Sequence, residues 1–293
     1  MLFLLGSIIL TSWLTLSFKI VERFNIPVFQ AIVFNYIACV ITGSFVNGAF
    51  PVSGSTFAES WFKWSLLMGL MFVSIFNLVG ITAQKMGVAV TSVANKLSLV
   101  IPFVFSIYLY NESTTWIKLA GIVIALAAVV LTCIPSASGL EPSGKPFHVS
   151  NLFLPVVLFI SSGLLDTLIK YVEQTELNDG NKNAYLITSF GVAAVLGSIT
   201  LLFLLLTGKV KFDKRSILAG IMIGVPNYFS IWCLVRVLKD YQGNSSAIFP
   251  INNMGIVLFS TVAAWIFFKE RLSTLNWLGI VLSIAAIALI AFG

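Results

Sequence analysis

The sequence has little charge and almost nothing that ligates a metal. Only 10% of its 293 residues are Asp, Glu, Lys or Arg, with one histidine and three cysteines. The single imidazole, His148, sits in a Gly/Ser/Pro-rich stretch. A zinc or haem centre built on several histidines is therefore excluded, and neither a metal nor another cofactor is expected. Cys39, Cys133 and Cys233 fall within or at the end of apolar runs without paired spacing, so no disulfide framework or thiolate metal site follows. The net charge of +6 comes from cations scattered at the ends of apolar runs, not gathered in a stripe, and nucleic acid is not an expected partner. There is no GxGD pair, HExxH or Ser/His dyad at the depth of an apolar run, which argues against an intramembrane enzyme.

What the chain has in abundance is apolar length. It is 58% hydrophobic with a mean hydropathy of +1.01, more than one water-soluble domain can bury. Windows 24 to 58, 119 to 140, 183 to 208, 216 to 235 and 272 to 293 carry no charge at all. Each holds at least one run of roughly 20 apolar residues, enough to cross about 30 Å of hydrocarbon. Hydropathy places ten spans at 2 to 21, 28 to 46, 61 to 84, 88 to 109, 115 to 134, 151 to 172, 184 to 206, 216 to 238, 246 to 268 and 274 to 292. The runs lack the alternation of a barrel wall, so an all-α integral membrane protein of ten transmembrane helices is expected, in contact with membrane lipids. The first run lacks a basic start and a clear cleavage site, and reads as a retained span.

The main central polar interruption, 135 to 150, leaves five spans on either side and reads as a linker between units 1 to 134 and 151 to 293. The two units resemble each other. At a shift of 151, Lys19, Val21 and Glu22 fall on Lys170, Val172 and Glu173, and Ser65, Leu67, Gly69 and Met71 fall on Ser216, Leu218, Gly220 and Met222. At a shift of 158, Asn95 falls on Asn253, Glu112 on Glu270, and Gly121, Ile122 and Val123 on Gly279, Ile280 and Val281. Spans two and seven show no register. An odd number of spans per unit makes the second copy enter from the opposite side, giving two inverted five-helix repeats.

The acidic residue after the fourth span of each copy, in NESTTWIKLAGIVI at 111 to 124 and KERLSTLNWLGIVL at 269 to 282, precedes a Gly-led final helix. In this the chain resembles the EamA-like members of the drug/metabolite transporter superfamily. The resemblance covers essentially the whole chain. It implies two EamA-like repeats around a central cavity lined by the first, third and fourth spans of each half, and export or exchange of small metabolites by alternating access. It does not imply a substrate.

Few residues within the spans carry chemistry. Lys96 lies eight residues into span four, about 12 Å deep at 1.5 Å per residue. A charge near the bilayer centre costs at least about 2.5–3.5 kcal/mol, so Lys96 needs a polar cavity or a partner. It reads either as a cationic contact for a substrate carboxylate or phosphate, or as a structural ion pair or neutral lysine. Asp166 is the one carboxylate well inside a span, with Lys170 one turn later. It reads as an i,i+4 pair with Lys170, as a partner for Lys96, or as a proton carrier. Lys19 and Lys170, each followed three residues on by a glutamate, are interface anchors or gating groups.

Ser12, Thr15, Asn77, Asn95, Asn227, Tyr228, Asn252 and Asn253 add neutral polarity. They either bond helix to helix or line a cavity suited to a polar metabolite. Trp13 and Trp232 are set for packing or for stacking on a substrate, and Pro102, Pro226 and Pro250 are expected to interrupt their helices. Gly220 and Gly224 permit a close helix contact within a monomer or between subunits of a homodimer.

Span one lacks the central carboxylate on which the small multidrug-resistance relatives depend. The balance favours a transporter of amino acids or organic anions, not a cation-for-proton drug antiporter. A multidrug efflux protein, a channel and an assembly subunit are the alternatives. A bacterial inner membrane is the expected location. Lys and Arg near the odd-numbered connections outnumber those near the even ones, which places the termini outside, whereas the family resemblance places them in the cytoplasm.

Overall fold

A computed structural model describes residues 2–110, 115–134, 153–178, 180–240 and 245–292. The interval expected to be a linker, His148 and Glu112 lie outside the described residues. Among those described there are no strands, and the chain folds into eleven α-helices: α1 (Leu2–Arg23), α2 (Val28–Asn47), α3 (Phe62–Met86), α4 (Val88–Leu97), α5 (Val100–Tyr110), α6 (Trp116–Cys133), α7 (Phe153–Thr175), α8 (Lys182–Leu206), α9 (Arg215–Asp240), α10 (Ser245–Phe268) and α11 (Thr274–Phe292). Helices α4 and α5 share the fourth apolar run, so there are ten candidate spans. Phe45, Val123, Ile199, Phe203, Leu218, Phe267 and Val281 are each more than half exposed, a surface that calls for lipid as its solvent.

Two faces of the bundle are fixed by the chain ends that meet there. Lys19 at the end of α1 donates to the Gln84 carbonyl at the end of α3 (2.9 Å), and Glu270, just after α10, accepts from the first amides of α4. We call this the Glu270 face. On the opposite face, the Ser60 hydroxyl and the Trp64 indole at the start of α3 donate to Glu176, just after α7. These two hydrogen bonds hold the Glu176 carboxyl below the usual range. The first and sixth spans therefore end on opposite faces, as an inverted arrangement demands.

Equivalent glycines make equivalent contacts. Gly69 on α3 packs against Ser189 and Val192 of α8, and Gly220 on α9 packs against Ala31 and Phe34 of α2. Gly121 on α6 meets Leu289 and Ile290 of α11, while Gly279 on α11 meets Ala128 and Thr132 of α6. These contacts supply what the sequence lacked. Ala31 matches Ser189 and Phe34 matches Val192, so spans two and seven superpose at a shift of 158.

The expectation for the three prolines needs correction. Of the three, only Pro102 lies beside a helix break. It has no N–H for the Ser98 carbonyl, which takes the Ile101 amide instead (2.9 Å), and the span breaks between Leu97 and Val100. Pro226 sits inside an unbroken α9, and α10 runs through Pro250. The carbonyl that Pro226 leaves without a donor is that of Met222, and the Trp13 indole N–H of α1 reaches it at 3.0 Å. A side chain from another helix thus repairs the backbone that proline opened.

Candidate functional site

The break in span four puts chemistry at the middle of the bundle. Lys96 stands in the last turn of α4, where unpaired backbone carbonyls favour a cation. It is half-buried among the helices packed on α4. Asp166 of α7 has the same character. The two charges act on one another across the α4–α7 interface without closing a direct ion pair.

Between them stands Ser98, the residue at the break. Its hydroxyl donates to the Asn95 carbonyl at 2.6 Å and lies 3.3 Å from Asp166 Oδ2. One turn before Asp166, the buried Ser162 hydroxyl has no protein partner. Gly163 beside it brings α7 hard against Ile101 of α5, leaving no room for a side chain. Proline, the freed carbonyl, the small α7 residues and the two charges form one construction.

The other sequence candidates distribute around this centre. Asn95, next to Lys96, and Asn77 of α3 are half-buried. Ser92 of α4 is hydrogen-bonded to Ser260 of α10 (2.8 Å) where these antiparallel helices cross. Asn252 and Asn253 lie two turns from Ser260, in the direction Lys96 takes from Ser92. Asn252 is buried with its Oδ1 unpaired, and Asn253 is half-buried.

Several candidates are engaged in helix packing instead. Ser12 is buried against α10, its hydroxyl 3.4 Å from the Ile256 carbonyl, and Thr15 is buried a turn further along α1. Asn227 donates to Asn35 Oδ1 of α2 (3.1 Å), and Tyr228 fills the space over Gly43 of the same helix. Trp232 meets Phe3 and Phe229 edge to face. Trp13 is held by its bond to Met222. Lys19 pairs with Glu22 at 3.0 Å on the Glu270 face, and Lys170 follows Asp166 by one turn on α7.

Sequence reasoning missed Ser98, Ser162 and Asn35. A signal existed for the first: a residue four positions before a proline in an apolar run loses its carbonyl's donor. Ser162 and Asn35 carry no such mark, because what singles them out is the helix that packs over them.

Ten apolar spans with a pair of half-buried charges at their centre define a multi-pass integral membrane protein. Residues 152–292 match the EamA-like transporter family. That family is part of the drug/metabolite transporter superfamily, and its members are transporters. An uncharacterized protein of Haemophilus influenzae (strain ATCC 51907 / DSM 11121 / KW20 / Rd) is 28% identical over 274 residues, covering 92% of this chain and 90% of its own. A protein of known crystal structure shares the fold, with a TM-score of 0.62 at 15% identity over 98% of this chain and 94% of that one.

Proposed function

We propose that the chain is a secondary transporter, an exporter or exchanger, of small polar metabolites bearing a carboxylate or phosphate, amino acids and organic anions among them. The carrying observation is Lys96: an ammonium in the middle of the fourth span, half-buried, with no hydrogen-bond acceptor among the described residues. A cation held in such a place without a direct partner is retained at a cost that an anionic ligand offsets. Asn95, Asn77, Asn252 and Asn253 supply the amides that a polar solute needs. Asp166 is assigned to coupling, and Lys19 and Lys170 to gating by alternating access. A bacterial inner membrane is the proposed location.

The test is flux in proteoliposomes, screened over amino acids, dicarboxylates and phosphate by counterflow. Lys96→Ala is expected to reduce transport of an accepted solute roughly 10- to 150-fold, the equivalent of a charged hydrogen bond of about 1.5–3 kcal/mol, with membrane insertion unchanged. Wild-type kinetics in that variant would remove Lys96 from the site.

A further inference from the structure

We propose that Lys96 is a counter-ion shared between Asp166 and a bound anion, so that anion binding releases Asp166 to take up one proton from water. The site is then a proton–anion symport centre. This rests on the reading of Lys96 as the anion contact and adds the proton, its acceptor and the sign of the linkage.

Three observations carry it. First, Lys96 and Asp166 interact electrostatically without direct contact, so the ammonium is free to turn to a third party. Second, among the described residues the other charges on the elements packed on α7 lie a helical turn or more from the pair. Of the elements packed on α7, α3 carries Lys63 and Lys85 only at its two ends, and α4 carries no charge but Lys96. The α5 sequence has no charged residue, its titratable groups being Tyr108 and Tyr110 in the last turn. On α7 itself, Lys170 and Glu173 lie toward the Glu176 face. An anion entering this neutral pair leaves one uncompensated negative charge, and desolvating such a charge costs several kcal/mol. A proton on Asp166 removes it.

Third, the neutral acid is already provided for. A serine hydroxyl has one proton and two lone pairs. Ser98 donates to the Asn95 carbonyl at 2.6 Å and, at the longer distance of 3.3 Å, to Asp166 Oδ2; with its one proton kept on the shorter bond, the hydroxyl offers a lone pair to a protonated Asp166. The unpartnered Ser162 hydroxyl, one turn away on the same helix face, is a second acceptor. A zwitterion, by contrast, would satisfy Lys96 with its carboxylate and Asp166 with its ammonium, and would need no proton.

The experiment uses the purified full chain in weakly buffered lipid discs, with propionate and alanine as probes, which differ by one ammonium group. Proton uptake is read with a pH indicator, and the protonated carboxyl band of Asp166 by infrared difference spectroscopy. Propionate is expected to draw about one proton per molecule bound, alanine none, and Asp166→Asn none with either. Without any ligand, Lys96→Met should already show the band, Lys96→Arg should not, and Lys96→Met/Asp166→Asn should lack it.

Propionate binding without proton uptake, or a Lys96→Met protein without the band, overturns the proposal. If neither probe binds, the ligand-free band decides alone. Absence of flux for every solute would count against the transporter reading and leave the Asp166 result standing.

Discussion

The two faces of this bundle are built from matching helices and are not closed alike. On the Glu270 face, Phe18 of α1 is fully buried against Gly80 and Phe76 of α3. Lys19 and Gln84 exchange bonds there with each other's backbone neighbourhood: the lysine reaches the Gln84 carbonyl, and the Gln84 amide reaches the Phe18 carbonyl. Glu270 from the second half caps α4 through the amides of Val88 (2.8 Å) and Ala89 (3.4 Å). The partners at a shift of 151 behave differently. Ile169, which matches Phe18, is 38% exposed, and Val235, which matches Gln84, is 44% exposed. Among the described residues α7 makes no extended packing with α9 or α10, whereas α1 packs on both α3 and α4. Near-equal sequences in an inverted pair thus reach unequal packing at the two faces.

The largest effect is expected in reagent access. Cysteines placed at Gln84 and at Val235, in a background without the buried Cys39, Cys133 and Cys233, should react with a soluble maleimide at rates differing by about tenfold or more, Val235→Cys being faster. That ratio corresponds to ~1.4 kcal/mol of local opening. Equal rates in detergent, where both faces are accessible, would abolish the distinction between them.

The difference between the faces was only half legible in the chain. The ten spans could be read because a bilayer fixes how long an apolar run must be, and Gly69/Gly220 and Gly121/Gly279 gave the repeat because close helix approach tolerates no side chain there. Spans two and seven had no such fixed identities. Their register appeared only when Ala31–Phe34 and Ser189–Val192 were seen under matching glycines. Lys96 and Asp166 stood out as charges in lipid-length runs, but the meeting of Ser98 with Asp166 depended on which way α7 is turned. Trp13 looked available for stacking because nothing local announces that the carbonyl it serves lies 209 residues away.

A mid-sized effect tests the sealed face by giving it the other face's residue. Gly80 corresponds to Ile231, and even a methyl at Gly80 would come within 2.7 Å of Val28 and 3.1 Å of the Phe18 ring. Gly80→Ile should therefore destabilise the protein by about 1–3 kcal/mol through overpacking. Because the strain falls on α1–α3 contacts, it should also raise maleimide labelling at Gln84→Cys toward the Val235→Cys rate. A lower melting temperature without added labelling would mean that the strain is relieved elsewhere and that Gly80 does not seal this end.

The smallest effect belongs to Glu270, and it is read best through pH. Burial pushes its carboxyl above the ordinary glutamate value, against the opposing pull of the Val88 amide and Lys19. A group with a raised folded-state value binds protons more tightly in the folded protein, so its stabilising contribution is complete below the unfolded value and is lost as pH rises through the folded one. Wild-type stability should therefore fall across that window, and Glu270→Gln should flatten the fall. At acid pH the substitution should be near neutral. At neutral pH, relief from burying a charge opposes the loss of a charge-assisted cap, itself worth about 0.5–2 kcal/mol. Thermal unfolding in detergent across this pH range, for wild type and Glu270→Gln side by side, makes the check. If the two curves keep the same slope, the Glu270 cap does not titrate with folding, and the Glu270 face owes its closure to Phe18, Gly80 and Gln84 alone.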